Sequence, residues 1–289
     1  MSHSQVIDQV AQYVMQAKRL VVFSGAGMSV ESGIDTFRGQ GGLWNGLLGK
    51  LTLMTFGTPL GWNVAPQTGW KHFVKKFYEP IVLAQPNAGH LALASLQRDF
   101  FNSQTNRSMH VITQNVDGLH QTAGSSNVFE LHGSLRKFCC TSHHPFDFEK
   151  YFKENPTSDI RVKEDGSPMS LPIPSPKCQE DGCSKHLRPD CTLFFEGLPP
   201  LQYNSAADVV EEMEKGDVMF VVGTSAVVYP AAYMPQAAAY RGVRIVEFNL
   251  EETNFNELPN YIFVKGKCSE TIPQLVERIR ELAKQHNAK

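Results

Sequence analysis

Six short apolar runs rich in β-branched residues recur along the chain. They are LVVFS at 20–24, MHVIT at 109–113, NVFEL at 127–131, VMFVVG at 218–223, RIVEFN at 244–249 and YIFVKG at 261–266. A strand reads as near-continuous apolar sequence when both faces of its sheet are covered. Helical stretches alternate with these runs, at 4–18, 87–98, 205–215, 230–240 and 270–287. Val6, Val10, Tyr13 and Val14 carry the helical spacing in the first of them. The alternation predicts an α/β fold, a Rossmann-like doubly wound parallel sheet.

The pattern breaks twice. Residues 39–86 are rich in Gly, Trp and Phe, and 136–195 in Pro, Ser, Lys and Asp. Structureless loops of that length are rare inside a compact domain. The breaks therefore predict a second, smaller domain built from 39–86 and 136–195. The large domain takes 1–38, 87–135 and 196–289. Six cysteines occur, at 139, 140, 178, 183, 191 and 268, four of them within 139–183. In a reducing compartment such a cluster points to a metal rather than to disulfides.

Composition excludes some functions. The net charge is −2 and no Lys/Arg run exceeds two residues, so no direct nucleic-acid partner is expected. No apolar stretch reaches the roughly 18–20 residues needed to span a bilayer. Asp8 and several Gln interrupt the N-terminal segment, which is neither a signal peptide nor Arg-rich enough for a typical mitochondrial presequence. An intracellular protein is expected, cytoplasmic or nuclear with a mitochondrial site also compatible, and a monomer or weak dimer.

Several of the expected strands end in polar, turn-forming sequence, which is where open α/β sheets bind ligands. TQNVDGLHQTAG at 113–124 places Gln114, Asn115 and Asp117 there. In VVFSGAGMSVESGIDTFRG, Gly25 and Gly27 permit tight turns and close approach to a phosphate. The third glycine of the usual dinucleotide fingerprint falls on Val30, which argues against a hydride-transfer dehydrogenase. Arg38 supplies a cation for a pyrophosphate. ELHGS at 130–134 brings His132, a natural general base for a ribose hydroxyl. VVGTS ends another strand in Gly223, Thr224 and Ser225, and EFNLEE the next in Asn249 and Glu251, suited to an adenosine ribose.

Taken together, GAGMSVESGIDTFRG, TQNVDGLH, HGS, VVGTS and FNLEE resemble the sirtuins in order and spacing over nearly the whole chain. PNAGH at 86–90, VVGTSAVVYPAA and VEFNLEET, with Thr36, are similar to class III sirtuins, the branch known for removing succinyl, malonyl and glutaryl groups. Asp35 stands where the family has Pro. The resemblance implies an NAD-dependent protein lysine deacylase that transfers an acyl group to ADP-ribose and releases nicotinamide. Its substrates would be acylated-lysine proteins or peptides. By the same resemblance His132 and Asn115 are catalytic. NAD would be held by Gly25, Ala26, Gly27, Ser29, Ile34, Phe37, Arg38, Gln114, Asn115, Asp117, Gly223, Thr224, Ser225, Asn249, Leu250, Glu251 and Cys268.

Sirtuins carry a structural zinc on two cysteine pairs. Here the first pair reads Cys140-x-x-His143 and the second Cys178-x4-Cys183, a Cys₃His set that suits tetrahedral zinc, with Cys139 and His144 as adjacent competitors. The small residue of the class III acyl pocket falls on Gly57, and its Tyr-x-x-Arg pair on Phe73 and Lys76. Phe lacks the hydroxyl and Lys lacks the bidentate fork of Arg, so uncharged acyl groups are expected to compete well with succinyl. Phe194, Glu196 and Val227 would meet the substrate. The same residues would serve mono-ADP-ribosyl transfer. A non-catalytic NAD or ADP-ribose sensor is the other alternative, against which intact His132 and Asn115 speak.

Overall fold

The computed structural model describes residues 1–34, 56–155, 168–225 and 227–287. Its strands are β1 (Arg19–Ser24), β2 (Ser108–Thr113), β3 (Val128–Glu130), β4 (Gly133–Cys140), β5 (Pro145–Phe146), β6 (Leu187–Cys191), β7 (Val218–Val222), β8 (Arg244–Asn249) and β9 (Tyr261–Lys265). Six of them form one parallel sheet in the order β3-β2-β1-β7-β8-β9. All six expected strands lie in this sheet.

Burial on both faces explains why these strands read as unbroken apolar runs. Successive side chains of a strand point to opposite faces. Leu20 and Val22 of β1 join Val10, Val14, Leu93, Leu96, Leu275 and Ile279 on one side, under helices His3–Gln16, Ala88–Phe100 and Cys268–Asn287. Val21 and Phe23 join Ala206, Val210, Met234 and Ala238 on the other, under helices Pro200–Glu211 and Tyr233–Tyr240. The helix expected at 205–215 starts earlier because Pro200 fits a first turn, where its missing N–H costs nothing.

Two caps fix helix starts. Ser2 Oγ accepts from the Gln5 N–H, and the Gln5 side chain accepts from the Ser2 N–H, a reciprocal capping box. Asn87 Oδ1 accepts from Gly89 and His90, and its amide donates to Met28 O at 2.8 Å. That second bond ties the helix Ala88–Phe100 to the loop that leaves β1.

The two interruptions of the α/β pattern share one core. Strands β5-β4-β6 make a small antiparallel sheet. Helical segments Pro59–Val64, Pro66–Phe73, Val74–Tyr78 and Glu79–Leu83 supply Trp62, Trp70, Phe73 and Tyr78. These rings meet Phe138, Phe146 and Phe148 from the sheet side, with Trp70 and Phe138 edge-to-face at 5.9 Å. Trp70 Nε1 donates to Pro172 O and Tyr78 Oη to Pro168 O, so the buried polar tips are satisfied. No helix among the described residues is long and apolar enough to cross a membrane.

Candidate active site

The strand order reverses between β1 and β7, so the chain leaves these neighbouring strands in opposite directions and opens a crevice at their C-terminal ends. Glycines let the two loops touch there. Gly25 N–H donates to Val222 O and Gly27 N–H to Gly223 O. A Cβ on Gly27 would stand 2.8 Å from Gly223 Cα, and one on Gly25 2.8 Å from Thr224 Cβ. Gly223 itself has φ +56°, and its Cβ would meet Met28 N at 2.4 Å. The Gly27 N–H is spent inside the fold, so that glycine serves loop-to-loop packing before any phosphate. The segment after this turn is a short 3-10 helix, Ala26–Ser32.

The polar strand ends form one hydrogen-bonded set. Asn115 Nδ2 donates to Gly25 O at 3.0 Å and to Ser29 Oγ at 3.1 Å. Ser29 Oγ donates to Asp117 Oδ2 at 2.7 Å, and Asp117 Oδ1 accepts from the Leu119 N–H. Gln114 Nε2 donates to Thr224 Oγ1, and Asn249 Nδ2 to Thr224 O, so loops after β2, β7 and β8 are joined. Ala26, Ser29, Ile34, Ile81, Asn115, Val116 and Asp117 line a cleft in the same place. Burial pushes the Asp117 carboxyl upward, against the hydrogen bonds from Leu119 and Ser29.

His132 follows β3, and its Nδ1 lies 2.9 Å from Gln114 O. A carbonyl only accepts, so in the neutral ring Nδ1 carries the proton and Nε2 keeps its lone pair. Burial lowers the pKa of His132, partly offset by that backbone bond. The ring is therefore neutral near pH 7, the state a general base needs.

Beneath this set lies a second buried cluster. Ser24 Oγ donates to Thr113 Oγ1 and lies 2.9 Å from His120 Nε2. The His120 ring sits edge-on to His90 at 4.8 Å. Burial lowers His90 to about 4, and burial followed by the nearby His90 lowers His120 as well. Neither ring nitrogen of His90 meets a partner among the described residues. The signal was present, since PNAGH and VDGLH each end in a histidine beside small residues.

The remaining expected residues fall as follows. Ser225, Leu250 and Glu251 are exposed, and Cys268 is buried with its thiol pushed up to about 12 by burial. Phe37 and Arg38 lie outside the described residues. Gly57 is buried, and its carbonyl accepts from Phe194 N–H at 2.8 Å. The Glu196 carboxylate accepts from Arg188 at 2.6 and 2.8 Å, so its charge is used within the fold. Val227 is exposed. The pairing of Phe73 with Lys76 needs correction. Phe73 is 4% exposed and packed among Trp62, Trp70, Tyr78 and Phe138, whereas Lys76 faces solvent. The aromatic core claims one side chain and water the other, so they do not converge on an acyl pocket.

The thiol cluster also corrects an expectation. Cys140, His144, Cys178 and Cys183 bring their ligand atoms within 4.8 Å of one another, and His143 is not among them. Cys140 Sγ lies 3.9 Å from Cys183 Sγ, and Cys178 Sγ 3.7 Å from His144 Nδ1. Ligands of a tetrahedral zinc with bonds near 2.3 Å stand about 3.8 Å apart, so the set fits that ion. The hairpin between β4 and β5 explains the choice. Cys140 N–H donates to His144 O, which puts the two residues opposite each other. His143 occupies the loop tip at φ +63° and is exposed. Burial alone would raise the Cys140 thiol, but N–H donors from Ser142 and His144 together with the neighbouring Cys178 and Cys183 outweigh it and favour thiolate, the ligating form.

The likeness to known proteins spans both the sheet and the thiol module. The model of the Sir2 family matches residues 25–230. An NAD-dependent protein deacylase of Pyrococcus furiosus is 37% identical over 279 residues, 96% of this chain and 100% of that one. The mitochondrial NAD-dependent protein deacylase sirtuin-5A of Xenopus laevis is 39% identical over 273 residues, 91% of this chain and 82% of that one. The solved complex of a Sir2 homologue with NAD superposes with a TM-score of 0.75 at 36% identity, covering 95% of this chain and 94% of that one. With a parallel sheet whose strand ends carry the motifs and a module that gathers three thiols and an imidazole, the chain belongs to the Sir2 family, the sirtuins.

Proposed function

We propose that the cleft at the ends of β1, β2 and β7 is the active site of an NAD-dependent protein lysine deacylase. The observation that carries this reading is His132. Its Nδ1 is committed to Gln114 O and burial keeps the ring neutral, so Nε2 is free to take a proton at the mouth of the polar set. When bound, NAD supplies the ribose carbon that the acyl oxygen attacks as nicotinamide leaves.

The chain's own residues do the rest. Both Nδ2 hydrogens of Asn115 are held by Gly25 O and Ser29 Oγ, which turns Oδ1 toward a hydroxyl or water. Asp117 accepts amide hydrogens in a site dry enough to raise its carboxyl. Gln114, Thr224 and Asn249 keep three strand ends in register, and Gly25, Ala26, Gly27 and Ile34 form the wall beside them. His132 accepts the ribose proton and later returns it. Ser225, Leu250, Glu251 and Cys268 serve the adenosine side. Gly57, Phe194, Glu196 and Val227 meet the acyl-lysine, and the zinc set Cys140, His144, Cys178 and Cys183 keeps the small module folded without entering the chemistry.

The domain division follows this assignment, with 1–38, 87–135 and 196–289 holding NAD and 39–86 with 136–195 completing the substrate side. We take the enzyme to act within the cell, as a monomer or weak dimer, on proteins rather than nucleic acid, in keeping with a net charge of −2. A panel of acyl-lysine peptides with NAD, read by mass, tests the reading. Free lysine and acylated ADP-ribose are the expected products. ADP-ribose attached to protein, or NAD left intact, would replace it by transfer to a side chain or by a sensor.

A further inference from the structure

Phe195 stands in a conformation that an aromatic residue rarely adopts. Its φ is +74°, the left-handed region, and its side chain is 96% exposed. Glu196 N–H donates to Leu193 O, so Phe195 is the third residue of a tight turn, a position that ordinarily takes Gly or Asn. A Cβ-bearing ring there is strained. No packing against the described residues offsets the strain, because the ring is exposed.

The turn cannot relax. Glu196 Oε2 accepts from Leu193 N–H at 2.8 Å, and both carboxylate oxygens accept from the Arg188 guanidinium. Arg188 is 4% exposed and also donates to Cys191 O at 2.7 Å. The same segment is tied to the site at two points. Thr192 N–H donates to His132 O, and Phe194 N–H donates to Gly57 O, each at 2.8 Å. Phe195 directly follows Phe194, whose N–H is held by Gly57 O, so its backbone lies one residue, about 3.8 Å, from the residues assigned above to the acyl-lysine.

Strain that persists without packing is a sign of use by something outside the fold. The turn's one charge, Glu196, is neutralised by Arg188, so what the turn offers is an apolar ring. Resting on the deacylase reading, we infer that Phe195 determines sequence specificity by giving an apolar side chain next to the acyl-lysine a surface to cover.

Two peptides test this, one with Leu flanking the acyl-lysine and one with Ser, each with NAD. The ratio of kcat/KM for the Leu peptide to that for the Ser peptide should fall about tenfold in Phe195→Gly, the worth of half-burying one aliphatic side chain. Phe195→Asn, which also tolerates the left-handed turn, should show the same fall, and the melting temperature of Phe195→Gly should rise as strain is released. An unchanged ratio in both variants, or a lower melting temperature with equal losses on both peptides, would overturn the inference. Absence of turnover by the wild type on both peptides would instead overturn the deacylase reading, and this one with it.

Discussion

Replacing His144 by alanine should weaken zinc binding about 10²-fold, and replacing His143 should not. In the structure His144 Nδ1 lies 3.7 Å from Cys178 Sγ, within the span of a tetrahedral ion, while His143 is exposed at the hairpin tip. Structural zinc sites are worth about 10–16 kcal/mol, which averages to roughly 3 kcal/mol for each of four ligands. Removing one should weaken zinc about 10²-fold. Competition with a chromophoric chelator reads that loss directly, and the melting temperature should fall with it as β4, β5 and β6 lose their tie. His144→Cys should retain the metal, since a fourth thiolate suits zinc equally. His143→Ala removes a side chain that touches no ligand atom, so its affinity should stay within about twofold. Wild-type affinity in His144→Ala, or an equal loss in His143→Ala, would refute the hairpin argument.

His132→Ala should lower turnover by about 10²–10⁴-fold while NAD still binds by calorimetry; retention of more than a tenth of wild-type turnover would contradict its role. Because burial lowers the pKa of His132 below 6.5, the acid limb of the rate profile should lie below pH 6.5, and a limb above that value would show a different base. His90 falls from 6.5 to about 4 in the fold, so its contribution to stability is present above pH 6.5 and is lost as pH falls toward 4. The slope is about 1.4 kcal/mol per pH unit, and urea midpoints of His90→Phe should depend less on pH between 6.5 and 5 than those of the wild type. Without a converging Phe73 and Lys76, medium or long uncharged acyl groups should equal or beat acetyl, at about 0.8 kcal/mol per buried methylene. A kcat/KM for succinyl tenfold above every uncharged acyl group would mean that another cation serves the site. Phe73→Ala should cost about 3–5 kcal/mol by denaturant titration, as a core aromatic does, and a change below 1 kcal/mol would place its ring elsewhere.

Much of the site was legible because its signals are local. His132 and Thr224 follow an apolar run directly and Asn115 and Asp117 come within four residues of one, and a parallel sheet covered on both faces must make such runs continuous. Once the runs are strands, their ends lie on one edge, and the polar residues there meet. The sheet order was not legible, since nothing in β1 states that β2 and β7 are its two neighbours. Nor was the contact of Gly27 with Gly223, which are far apart in sequence and touch only because that order brings their loops together.

The errors have the same origin. Cys140-x-x-His143 looked like a ligand pair because spacing alone ignores the hairpin, whose register puts His144 opposite Cys140 and turns His143 out. The class III resemblance puts Phe73 and Lys76 at paired positions but carries no side-chain direction, and packing sends one into the rings around Trp70 and the other into water. Nothing local in the sequence marks Phe195; only the turn closed by Glu196 and Arg188 gives it a left-handed backbone and an exposed ring. The sequence by itself determined which segments become strands, which strand ends are polar and which module gathers thiols, since periodicity and composition are properties of neighbours along the chain. The tertiary structure alone decided which histidine faces the thiols, which aromatic is core and which is rim, because those depend on register and on backbone direction between segments that the chain brings together only when it folds.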